Sequence, residues 1–174
     1  MSGHSKWSQI KHKKGATDEK RGLLFSKLLR AISVAARENP DPAWNPRLRT
    51  TIEKARAANV PHENIERAIK RSSATDALDE IALEAYGPEK SAFIIVAVTD
   101  NRNRTIAEVR HLLEASGAKN AGEGSVRWSF EHAAGAWTPK FIQHVSADAK
   151  GKIAAIIATL EAHPDVEQVI TNAT

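Results

Sequence analysis

The chain has 174 residues, 41% of them hydrophobic, with 25 Lys/Arg against 21 Asp/Glu and a net charge of +4. It has no cysteine, which excludes disulfides, thiolate chemistry and zinc ribbons. No stretch approaches the roughly 18 apolar residues that cross a membrane, and the polar start lacks a secretory apolar core, so a cytoplasmic location is expected.

The small net charge hides a polarity. Residues 1–73 hold 16 Lys/Arg and 7 Asp/Glu, a net of +9, whereas residues 74–174 hold 9 and 14, a net of −5. A basic half beside an acidic half suits a chain that is drawn to a polyanion by one end only. The competing explanation is a solvated charged face on a helical domain.

Residues 1–16 are rich in Gly, Ser, His and Lys, have almost nothing to bury, and read as an extended, mobile arm. Thr17 or Asp18 can cap a helix running to about Glu38, with Phe25, Leu28, Leu29, Ile32 and Ala36 on one stripe. The prolines at 40 and 42 end it. Asn45-Pro46 is a cap followed by a first-position proline, opening a second helix to about Ala58 with Leu48, Ile52 and Ala55 inward. Pro61 opens a third through Arg71. Residues 72–76 read as a hinge.

The period then changes. Ile81, Leu83 and Ala85 alternate with more polar residues as in a strand, closed by Gly87-Pro88. Residues 92–98 form a continuous apolar run, the best central strand in the chain. Thr105 and Glu108 form a capping box for a helix to about Ser116. Strands are expected at 125–130 and 139–145, then a helix capped by Ser146, then a last strand at 165–171. The expected architecture is α+β. Residues 1–75 form a three-helix domain with a basic arm, and residues 76–174 a ferredoxin-like β-α-β-β-α-β domain with one extra strand before it.

The strongest functional pattern lies in the first domain. Lys6, Lys11, Lys13, Lys14, Lys20 and Arg21 can neutralise phosphates, His12 sits among them, and Trp7 can stack on a base or sugar. The alternative is a solubilising tail with Trp7 packed on the bundle. Arg47 and Arg49 follow a helix start and extend the same positive surface, unless they are an ordinary solvated flank. Arg102 and Arg104 stand at a strand-to-helix turn, where amides and guanidinium groups can hold an anion. They can equally pair with Asp100 or Glu108. Residues 122–126 are glycine-rich but lack the lysine and spacing of a phosphate loop, so a tight structural loop is the better reading. The seven histidines are scattered and no H-E-x-x-H is present, so no metal, cofactor or catalytic residue is assigned. A binding protein is expected, not an enzyme.

Several motifs together resemble the YebC/PmpR family. They are Gly3-His4-Ser5-Lys6-Trp7, Ile10-Lys11-His12-Lys13-Lys14, Asp18-Glu19-Lys20-Arg21, Asn45-Pro46-Arg47-Leu48-Arg49, Tyr86-Gly87-Pro88, Asp100-Asn101-Arg102-Asn103-Arg104-Thr105 and Gly124-Ser125-Val126. The family includes the mitochondrial translational activator of cytochrome oxidase. The resemblance implies a helical N-terminal domain followed by α/β domains, with nucleic-acid contacts on the basic N-terminal segment. It implies a gene-expression factor. One form is a translation factor bound to ribosomal RNA or tRNA, assisting elongation or relieving stalling. Another is a DNA-binding transcriptional regulator. A third reading from the residues alone is a protein-interaction module working through the acidic half. The family's usual chain is longer, with a further small α/β domain inserted in the middle one. Here residues 131–135 lead almost directly from Phe130 into the closing segment, so that insertion is expected to be absent.

Overall fold

A computed structural model describes residues 3–72, 78–133 and 135–174, with side chains from residue 18 onward. Helix α1 spans Gly3–Ala35, α2 Pro46–Ala57 and α3 His62–Arg71. The extended arm expected over 1–16 is corrected here, because α1 continues back to Gly3. No proline interrupts residues 3–34, and the Lys, Gln and Ala between Gly3 and Thr17 favour helix, so propensity extends the helix past the proposed cap.

The three helices bury one shared stripe. Ile32, Ala35 and Ala36 of α1 and its exit meet Leu48, Ile52 and Ala55 of α2 and Ile65 and Ala68 of α3. Asn45 fixes how α2 enters this packing. Its side chain accepts from the Leu48 amide at 3.0 Å and donates to the carbonyls of Ala35 at 2.7 Å and Asn39 at 2.8 Å. One buried amide thus caps α2 and ties it to the end of α1.

Strands β1 (Asp79–Tyr86), β2 (Ala92–Thr99), β3 (Lys119–Asn120) and β6 (Val166–Thr171) form one antiparallel sheet in the order β3-β1-β2-β6. Helices α4 (Arg102–Ala115) and α5 (Ala147–Glu161) supply one covering layer. Phe93, Ile95 and Ala97 of β2 face that layer, while Ile94 packs with Val126, Phe130 and Ile170 on the other side. Both faces of β2 are covered, which is why its sequence is apolar without alternation.

The mixed α+β class and the split β-α-β arrangement stand, but the strands are dealt differently. β2-α4-β3 is the split unit, and β1 lies between its two strands. The supposed extra strand is therefore central to the sheet. The segments expected as strands at 125–130 and 139–145 lie outside it. Residues Arg127–Ser129 make a 3-10 turn, and β4 (Phe130–Ala133) pairs with β5 (Ala136–Pro139) as a separate hairpin. The physical reason is Glu84, whose carboxylate takes the amides of Gly124, Val126 and Arg127 at 2.7, 2.8 and 3.0 Å. Those donors serve a side chain and are lost to any ladder. The start of α4 is also corrected: Asn101, ahead of the proposed Thr105–Glu108 box, caps the helix by accepting from the Arg104 amide at 3.1 Å. The Thr105 hydroxyl is spent elsewhere, 2.7 Å from Asp165.

Candidate nucleic-acid interface

Cations in the helical unit divide into two groups. One group joins the unit to the sheet. Lys27 donates to the Glu161 carbonyl, Arg37 to the Leu78 carbonyl, and Arg47 to the Glu80 carboxylate. Arg30 meets Asp165 at 2.6 Å. The other group faces water. Lys20, Arg49, Arg67 and Arg71 are exposed and make no ion pair among the described residues. Arg21 is exposed and lies over the Phe25 ring, 5.2 Å from its centre.

Of the sequence-assigned residues, Lys6, Trp7, Lys11, His12, Lys13 and Lys14 lie on the α1 backbone, and their side chains fall outside the described ones. Lys20 and Arg21 share that helix further along. Arg47 and Arg49 are divided by the fold: Arg47 is held against Glu80, with Glu38 at 4.0 Å, whereas Arg49 is exposed. Arg102 and Arg104 divide similarly. Arg104 bonds Asp100 and Asp165, each at 2.8 Å, while Arg102 is exposed. Arg67 and Arg71 were not assigned from sequence. Their signal was present, since they stand four apart on α3, away from buried Ile65.

Asp165 is the hub of the joint between the two units. It is buried and receives Arg30 of α1, Arg104 of α4 and the Thr105 hydroxyl. Burial alone would raise its pKa. The hydrogen bonds from Thr105, Arg104 and Arg30 outweigh that and hold the carboxyl at about 2. Glu108, His163 and Asp165 place ligand-type atoms within 4.8 Å of one another. Their atoms are already engaged: His163 Nε2 faces Glu108 at 2.9 Å and Nδ1 accepts from the Asp165 amide at 3.1 Å. The trio is an element of the ionic joint.

Residues 5–75 match the family description "TACO1/YebC protein N-terminal domain", and residues 78–136 match "TACO1/YebC second and third domain". The chain belongs to the TACO1/YebC family. A relative from Petrotoga mobilis is 53% identical over 135 residues, covering 75% of this chain and 54% of that protein. One from Chloroherpeton thalassium is 54% identical over 137 residues, with the same 75% and 54% coverage. Both are named "Probable transcriptional regulatory protein". The chain spans about half the length of the curated relatives it matches. A crystal structure of a conserved hypothetical protein from Aquifex aeolicus superposes with a TM-score of 0.79 at 31% identity, covering 90% of this chain and 91% of that one.

In this TACO1/YebC chain the Gly124-Ser125-Val126 motif is an anion nest filled by the protein's own Glu84. Three backbone amides overcome the cost of burying that carboxylate and lower its pKa. Tyr86 reinforces the loop through its hydroxyl, 3.0 Å from the Ser125 carbonyl. At Gly87 a β-carbon would collide with the Phe93 ring, so the glycine admits the closest turn of β1 into β2. No helix among the described residues is long and apolar enough to cross a membrane.

Proposed function

We propose that the chain is a nucleic-acid-binding regulator of gene expression, with its helical half as the contact surface. The observation that carries this reading is the fate of the cations. Among the described residues, those facing the sheet are consumed in ion pairs and carbonyl contacts, and Lys20, Arg49, Arg67 and Arg71, facing water, make no ion pair, on a unit whose sequence carries a net charge of +9 over residues 1–73. Unpaired Lys and Arg on one side of a small domain supply the sequence-independent share of nucleic-acid affinity. The names of the relatives support duplex DNA as target and transcription as the step controlled. The protein would act by binding and positioning.

A second reading is an RNA-facing translation factor that holds ribosomal RNA or tRNA. It is favoured by the chemistry of the exposed groups. Lys20, Arg49, Arg67 and Arg71 suit phosphates, and α2 and α3 carry one Asn, Asn64, and no Gln for reading adenine edges in a major groove.

Fluorescence anisotropy with the full chain tests both. Binding to duplex DNA and to structured RNA is measured over a range of salt. Charge removal at Lys20, Arg21 and Arg49 is expected to flatten the duplex salt slope by about 0.9 for each phosphate that is no longer neutralised. A promoter duplex preferred over random duplex supports transcription; a preference for structured RNA over both supports translation. No binding to either polymer at low salt sinks the proposal.

A further inference from the structure

The space between α1, α3 and the turn after β2 is a cleft of about 770 Å³. Two helical stripes form its walls. Ser26, Arg30, Ser33 and Arg37 lie along one side of α1, and Asn64, Arg67 and Arg71 along one side of α3. Leu29 and Ala68 make an apolar floor that continues into the core of the helical unit. Ser33 ties the walls together, its hydroxyl lying 2.9 Å from the Ala68 carbonyl.

The charges in this cleft do not cancel. Among the described residues its one lining carboxylate, Asp100, already bonds Arg104 at 2.8 Å. Arg30 is satisfied by Asp165 and Arg37 donates to the Leu78 carbonyl, so the cations left for a ligand are Arg67 and Arg71. Arg67, Arg71, Asn64 and Ser26 have no side-chain partner among the described residues. Arg71 is in the last turn of α3, where the helix dipole rewards a cation. The dipole does not account for Arg67 one turn earlier. It also does not account for both arginines lining the same cleft as Arg37.

We propose that this cleft is a phosphate-binding site. Arg67 and Arg71 would clamp the phosphate with forked donors, Asn64 and Ser26 would add neutral ones, and the Leu29–Ala68 floor would take the apolar face of a sugar or base. Two sources carry that chemistry: the backbone or end of a single nucleic-acid strand, and a free nucleotide. The strand form rests on the nucleic-acid reading above, and the nucleotide form does not.

The test uses the full chain labelled with nitrogen-15. A 5′-phosphorylated single-stranded hexanucleotide and ADP are titrated separately, and the amides of Ser33, Asn64, Arg67, Arg71 and Ser72 are followed. The double variant Arg67→Gln/Arg71→Gln is compared with Lys54→Gln/Arg56→Gln, which removes two exposed charges from α2 outside the cleft. All four side chains are exposed, so both variants are expected to fold. The expected result is saturable shifts at the cleft amides with at least one ligand. That ligand should bind at least tenfold more weakly to the Arg67/Arg71 variant and within about twofold of wild type to the control, as charge-assisted forked bonds require. The proposal is overturned if neither ligand moves these amides, or if both variants weaken binding equally. Hexanucleotide binding elsewhere, with the cleft amides still, removes the cleft and leaves the nucleic-acid reading intact. ADP in the cleft with no hexanucleotide binding anywhere keeps the cleft as a nucleotide site and leaves the nucleic-acid reading to the duplex and structured-RNA titrations.

Discussion

Glu167 offers a direct test of how the two units are joined. It sits in β6 where the register with β2 slips, since Gln168 pairs with Val96 and Val166 with Ala97. The bulge leaves Glu167 outside the ladder and turns it toward Lys27 and Arg30 of α1. Its Oε1 is buried without a hydrogen bond. Burial dominates the attraction of the two cations and pushes the carboxyl up to about 8 from an ordinary 4.5. The folded state therefore binds a proton that the unfolded chain has already released. Its contribution to stability is complete below pH 4.5 and is lost as pH rises, until the folded group ionises near 8. Within that window the slope is about 1.4 kcal/mol per pH unit, or about 3 kcal/mol between pH 5 and 7. Glu167→Gln keeps the shape and removes the titration. Urea unfolding followed by circular dichroism, with the variant and wild type compared at matched ionic strength, isolates this group because the others cancel. The variant should match wild type near pH 5 and exceed it by about 3 kcal/mol at pH 7. A constant difference across the window would refute the assignment of a buried, protonated carboxyl.

Three further outcomes follow from the described contacts. Asn45→Ala removes the α2 cap and orphans the Ala35 and Asn39 carbonyls, and should cost about 2–3 kcal/mol in chemical denaturation. Glu84→Ala strips the acceptor from three amides and should cost about 3 kcal/mol, with Glu84→Gln losing less because one oxygen remains. Asp165→Asn leaves Arg30 and Arg104 facing a neutral amide and should cost about 2–3 kcal/mol near neutrality, read as a lowered unfolding midpoint. Because the Asp165 pKa is depressed to about 2, its contribution is present above 3.8 and fades as pH falls through 2, so the variant should lose less at acid pH than at neutral pH.

Much of the fold was legible because it rests on local rules. The Asn45-Pro46 cap, the Ser146 cap and the inward stripe of α2 lie where spacing places them. The apolar run at 92–98 is the doubly covered β2. The failures were long-range. Nothing near residues 124–127 reveals that a carboxylate forty positions earlier takes their amides, so the alternation there imitates a strand. The edge strand β3 is two residues long, too short to show a period. The candidate site was legible as a charge polarity but not residue by residue. Arg47 and Arg49 look equivalent in sequence, and only the approach of Glu80 separates a joint from an exposed cation.

That separation explains why the Asp100–Thr105 motif belongs to the same system as the basic helices. Arg104 lies between Asp100, which lines the arginine cleft, and Asp165, which holds Arg30. One guanidinium therefore does two things. It neutralises the acid that would otherwise oppose an anion, and it joins α4 to α1 through a shared carboxylate. Arg30 is drawn to the hub at the side of the same helix that carries Arg37 into the cleft. The acidic half thus contributes to the basic surface by orientation. It binds the cations on one flank of α1 and leaves those of α3 directed outward, where a polyanion can reach them.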